Sequence, residues 1–188
     1  PIDQNNFQEK PITEQFVFAG GIPPSERRRP FEIFGDAQMV STIKRILPPS
    51  SKAELTVFNN PFIVEEDRYP EVYSELLDLD KEMQNFRFRK GFEPPKIQRI
   101  LSSYLAGLML YDFDKNIIGD GHFECMVPTK FYLYLESGLP VLVSDRWQAT
   151  CDIVRDEGIG ISVSQDELRD ISELAQDSDL KSKRASVL

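Results

Sequence analysis

A doubly wound α/β domain, three layers deep around a parallel sheet of about six strands, is the architecture this sequence predicts. Six short apolar runs recur along the 188 residues, and amphipathic helical patterns separate them. The run AGLMLY (106–111) is apolar without alternation, as expected of a strand buried on both faces. Parallel strands need crossover connections, and those crossovers are right-handed, so helices cover both faces of the sheet.

The polar stretch 1–14, interrupted by Pro11, reads as a linker between domains. The domain proper is expected over 15–176. It opens with the strand QFVFA (15–19), which Gly20 and Gly21 end, followed by the polar loop PPSERRRP and a helix over 34–47. Residues 55–58 form the second strand, 71–84 a helix, 86–88 the third strand, and 95–103 a short helix with proline at its start. The fourth strand, 106–111, leads into the loop DFDKNIIGDG. Next comes a helix whose ends the sequence marks: Pro128 keeps the entry extended, Thr129 is the expected N-cap, Gly138 supplies a left-handed stop, and Pro140 stiffens the exit. Strand 141–144, helix 149–156, strand 160–163 and helix 166–175 complete the alternation, and 177–188 is expected to be a disordered tail.

Composition narrows the function. A net charge of -9 argues against a general nucleic-acid binder, whose affinity comes from Lys and Arg contacts to phosphate. The two cysteines, Cys125 and Cys151, lack CxxC or histidine spacing, which leaves reduced thiols and no zinc site. No run approaches the length of a membrane span, and the first residues are too polar for a signal peptide, so a cytoplasmic protein is expected.

In doubly wound sheets, ligands bind beyond the carboxyl ends of the strands where the winding reverses. For strand order 3-2-1-4-5-6 this point lies between the first and fourth strands, which brings loops 20–30 and 112–121 together. Lys130 is the residue there that local rules do not explain, since a cation in the first turn of a helix opposes the helix dipole. It is either a solvated lysine whose stem covers apolar surface or the partner of a phosphate bound at the helix start. Gly20-Gly21 is either a plain turn or a surface where backbone approaches a ligand closely. Arg27, Arg28 and Arg29 form the densest positive run of an acidic chain, readable as a solvated face or as phosphate contacts. His122, the single histidine, reads as a surface residue, and Trp147, Tyr132 and Tyr134 read as core or sheet-covering aromatics.

Residues 128–161, PTKFYLYLESGLPVLVSDRWQATCDIVRDEGIGI, resemble the C-terminal, donor-binding domain of GT-B glycosyltransferases, the retaining family 4-like members in particular. Pro128, Lys130, Tyr134, Leu135, Gly138, Pro140, Val141, Gly158, Gly160 and Ile161 carry the likeness; FVFAGGI (16–22) and ILSSYLAGLMLY (100–111) extend it more loosely. The resemblance implies a Rossmann-like half of a GT-B enzyme and a nucleotide-diphosphate sugar as donor. The diphosphate would meet Gly20, Gly21, Thr129 and Lys130, with Lys130 and Arg28 stabilising its departing charge, and the base would lie near Lys90, Gly91 and Phe92. No metal or cofactor is expected. The acceptor, whether glycan, lipid or small molecule, would be held by an N-terminal domain that this chain lacks, leaving the chain nearly inactive alone. Two departures stand out: the family's ribose-binding glutamate falls at Leu133, with Glu136 one turn on as the substitute, and its basic residue after the first strand is replaced by Gly21. Two rival readings remain. A sugar-nucleotide epimerase on the same fold would turn Asp120, His122 or Glu124 into the cleft, and a non-catalytic GT-B-like module would have an apolar or blocked cleft and an exposed apolar patch elsewhere large enough to dock a partner.

Overall fold

The computed structural model describes residues 14–25, 38–111, 120–164, 166–177 and 180–187. In chain order the elements are β1 (Gln15–Gly20), α1 (Val40–Ile46), β2 (Glu54–Asn59), a 3-10 turn (Glu66–Arg68), α2 (Tyr69–Val72), α3 (Ser74–Glu82), β3 (Phe86–Lys90) and α4 (Lys96–Leu101). They continue with β4 (Ala106–Met109), α5 (Asp120–Glu124), α6 (Thr129–Glu136), β5 (Val141–Ser144), α7 (Gln148–Asp156), β6 (Gly160–Val163), α8 (Ile171–Asp177) and α9 (Leu180–Val187). The six strands form one parallel sheet in the order β3-β2-β1-β4-β5-β6, as the sequence predicts.

Pleating sorts the core. Along β1, Phe16 and Phe18 enter one apolar layer, which α1 and α3 cover through Ile43, Ile46, Leu76 and Leu79. Val17 and Ala19 enter the opposite layer, which α4, α6 and α7 cover through Leu101, Phe131, Tyr134 and Val154. Each of these strand residues is almost wholly removed from water, worth about 1.5–3 kcal/mol for a large apolar side chain, so register is pinned from both faces at once.

Helix α6 starts at the carboxyl edge of the sheet and packs on the face over β4, and its ends are set by two different devices. Pro128, extended at φ -65°, ψ 144°, is its N-cap, and Thr129 is already the first helical residue; no side chain caps this end. That corrects the expectation that Thr129 caps the helix, because the ring of Pro128 holds the non-helical geometry a cap requires. The other end matches expectation. Gly138 sits at φ 68° and donates to the Leu135 carbonyl at 2.9 Å, while Leu139 donates to Tyr134 at 2.9 Å, the two bonds of a Schellman stop.

Elsewhere packing overrides periodicity. The helix expected over 71–84 is broken at Tyr73, whose buried hydroxyl donates to the Ile22 carbonyl at 2.7 Å and draws the backbone inward. The helix expected over 166–175 starts instead at Ile171, where the Asp170 carboxylate accepts the Ser172 N–H at 2.9 Å. The expected tail is helical over Leu180–Val187, because Leu180, only 2% exposed, joins the core. The short α5 begins at Asp120, within the last two residues of the loop expected over 112–121. Among the described residues no helix is long and apolar enough to cross a membrane; residues 1–13 of the expected linker lie outside them.

Candidate ligand-binding site

At the carboxyl edge of the sheet, the ends of β1, β2 and β3 and the first two turns of α6 frame an open cleft of about 540 Å³. It takes in the end of β1, the strand beside which the winding reverses towards β4.

The floor is Gly20 and Gly21. A Cβ on Gly20 would stand 3.1 Å from Cε and 3.3 Å from Nζ of Lys130, so the bare backbone makes room for the lysine to lie across it. A Cβ on Gly21 would meet Ile63 Cδ1 at 2.8 Å, so the β2–α2 loop rests on the second glycine in the same way.

One residue of α6 fixes the helix to this floor. The Tyr134 hydroxyl accepts the Ala19 N–H at 2.9 Å and donates to the Leu108 carbonyl at 3.1 Å, bridging β1 and β4. Its ring lies so close to β4 that a Cβ on Gly107 would fall 2.5–2.7 Å from ring carbons. Burial pushes the phenol far above its ordinary pKa, so it stays protonated and keeps both bonds.

One turn earlier, Lys130 is placed over Gly20. The residue is half-buried, yet its ammonium is enclosed: it donates to the Tyr111 hydroxyl and lies 4.1 Å from the Phe18 ring centroid and 4.7 Å from that of Tyr111. Ring faces attract a cation but solvate it far less than water does. Burial therefore pulls the ammonium down from 10.5 to about 7, and among the described residues no carboxylate pairs with it. The uncapped start of α6 adds its partial positive charge to the same spot.

The far wall belongs to β2 and β3. Asn59, fully buried, accepts the Ile22 N–H on Oδ1 at 2.8 Å, and its carbonyl accepts the Gly91 N–H at 2.7 Å. A Cβ on Gly91 would lie 2.6 Å from that carbonyl oxygen, so the strand exit needs glycine. Phe92 follows, its ring packed near Phe58 at 6.4 Å and carrying the Lys96 ammonium 3.9 Å from its centroid. Leu133 and Glu136 line the wall between, and Glu136 Oε2 accepts from Gln98 Nε2 at 2.8 Å.

Six of the eight residues singled out from sequence thus line one cleft: Gly20, Gly21, Phe92, Thr129, Lys130 and Glu136. Lys90 does not; its ammonium turns away to Glu66, 3.6 Å off, and only its neighbours Gly91 and Phe92 reach the cleft. Arg28 and the rest of the arginine run, like loop 112–119, lie outside the described residues. Tyr132, expected as core, is 54% exposed at the rim, while Tyr134 and Trp147 are buried as expected. His122 and Glu124 do not line the cleft, and His122 is exposed with its ring against Phe123. Sequence reasoning missed Tyr111, which touches the lysine from the end of β4, and Asn60 and Phe62, for which the turn-forming NNP run after the second strand was the available signal.

A six-stranded parallel sheet of this order, with an open cleft at its carboxyl edge, defines the class: this is a Rossmann-like half of a GT-B glycosyltransferase fold. Solved structures agree on the fold. The chain aligns with OtsA in its apo form at TM-score 0.54 and 10% identity, covering 96% of this chain and 40% of that one. It aligns with the C-terminal CMP-Kdo binding domain of WaaA from Acinetobacter baumannii at 0.50 and 12%, covering 94% and 88%. A trehalose-6-phosphate structure from E. coli bound with UDP-2-fluoro glucose aligns at 0.51 and 10%, covering 94% and 40%. The chain therefore spans about two fifths of the length of OtsA. Residues 59–187 match the glucosyltransferase 3-like C-terminal domain family, and the chain belongs to that family. None of these matches singles out family 4. A comparison with curated protein sequences gave no match.

Proposed function

We propose that the cleft binds a nucleotide-diphosphate sugar and that the chain is the donor-binding part of a glycosyltransferase acting with an acceptor-binding domain. The observation that carries this reading is the Lys130 ammonium, enclosed against Gly20 at an uncapped helix start with no carboxylate among the described residues to neutralise it. A buried cation without a counterion is costly, and a diphosphate would offset that cost through the ammonium, the free helix-start amides and the helix dipole together. In sugar transfer the leaving diphosphate gains negative charge as the glycosidic bond breaks, so the same groups hold the transition state more tightly than the ground state. Glu136, oriented by Gln98, would accept the ribose hydroxyls in place of the glutamate that Leu133 displaces. The WaaA domain is named for CMP-Kdo and the E. coli structure carries UDP-2-fluoro glucose, which supports a sugar-nucleotide ligand on this fold.

Calorimetric titration of the chain with UDP and GDP near pH 6.5 tests the reading. Binding of at least one is expected, with Lys130→Ala weakening it about tenfold or more, the loss of one charge-assisted contact. No heat from either nucleotide at millimolar concentration overturns it.

A further inference from the structure

Three large apolar side chains are exposed among the described residues, Phe62 at 71%, Tyr132 at 54% and Phe92 at 38%, and all three line the same cleft. Phe92 already has partners, with Lys96 over its face and Phe58 at its side. Phe62 has none: among the described residues no other ring packs on it.

Its backbone, in contrast, is firmly held. The Asn60 N–H donates to the Gly20 carbonyl at 3.2 Å, tying the loop to the glycine floor. Asn60 Oδ1 accepts the Phe62 N–H at 2.9 Å, and the Ile63 N–H reaches the Asn60 carbonyl at 3.4 Å, closing a turn with Asn first and Pro second. Ile63 then packs on the bare backbone of Gly21. A phenyl ring is thus mounted on a preformed turn beside the glycine floor and left in water.

We infer that Phe62 is a stacking platform for a pyranose ring at the mouth of the cleft. A pyranose has a face of weakly polarised C–H bonds that packs on the negative face of an aromatic ring, while its hydroxyls stay at the rim and in water. That chemistry suits a ring which is rigid, flat and exposed, since a preformed platform loses little entropy on binding. A protein partner would require a broader contiguous apolar surface than three aromatics set around a concave opening. The ring bound here is either the sugar carried by the donor or one belonging to the acceptor. The donor alternative rests on the proposed diphosphate site; the acceptor alternative does not.

The test has two arms, each run on the 188-residue chain, on Phe62→Ala and on Phe62→Trp. The first compares calorimetric affinities for UDP and UDP-glucose; the second follows methyl α-glucopyranoside and methyl N-acetyl-β-glucosaminide by ligand-observed NMR. Phe62→Ala is expected to leave UDP unchanged and to weaken sugar binding about 3- to 10-fold, the range of an aromatic contact, while Phe62→Trp retains it. A loss confined to UDP-glucose assigns the donor's sugar, and a loss confined to the methyl glycosides assigns an acceptor ring. An equal loss for UDP and UDP-glucose moves the ring to the base and overturns the proposal. So does an unchanged response, or no response, to sugar in both arms. Should neither UDP nor GDP bind the unaltered chain, the diphosphate reading falls alone, and the glycoside arm still decides for or against Phe62.

Discussion

The two turns of α6 bury two polar side chains four residues apart, and they do so on opposite terms. Tyr134 has a backbone donor and a backbone acceptor for its hydroxyl and a glycine opposite its ring, so every demand it makes on the interior is met. Lys130 has a tyrosine hydroxyl and two ring faces for a full charge. The first arrangement is what a fold requires of a structural group. The second leaves a cation desolvated with no carboxylate beside it among the described residues, a cost that the proposed diphosphate would relieve.

Substitutions should separate the two roles. Tyr134→Phe leaves the Ala19 N–H without its acceptor in a dry interior, so a loss of about 2–3 kcal/mol is expected, read as a lower denaturant midpoint with an unchanged slope. Lys130→Met should act the other way. Replacing a buried charge by an apolar chain of similar length is expected to raise stability by about 1 kcal/mol near neutral pH while removing nucleotide binding. If Lys130→Met destabilises the chain as much as Tyr134→Phe, the contrast between the turns is false.

Stability and affinity should also depend on pH. Lys130 titrates near 7 in the folded chain and near 10.5 when exposed, so between these values the unfolded chain holds the extra proton and folding stability rises with pH. Below pH 7 the cost of burying the charge is fully present. The advantage of Lys130→Met should therefore shrink as pH climbs from 7 towards 10.5, measured by paired thermal melts. Diphosphate affinity should run oppositely, falling above pH 7 as the ammonium is lost, with proton uptake on binding visible in buffers of different ionisation heat.

Much of the molecule is legible in the chain itself. Strands buried on both faces read as unbroken apolar runs, and their alternation with helices sets layers and order; Gly138 and Pro140 mark the end of α6 because stop geometry is local. Gly20 and Lys130 stand out because each breaks a local rule, a glycine pair ending a strand and a cation at the wrong end of a helix. What escapes are matters of long-range contact. No pattern near Tyr73 announces a hydroxyl that bonds Ile22 fifty-one residues away, nor does Lys90 declare that Glu66 will turn it from the cleft. Phe62 looks like one more apolar residue in a loop, since exposure is a property of the fold and not of the letter.

The bare position at Gly107 has a consequence for how such a chain can change over generations. Its contact with Tyr134 makes the effect of each substitution depend on the other: alanine on the strand is intolerable while the ring is present and harmless once the ring is gone. Lineages that abandon this arrangement must give up the tyrosine first, and until they do the strand position is frozen.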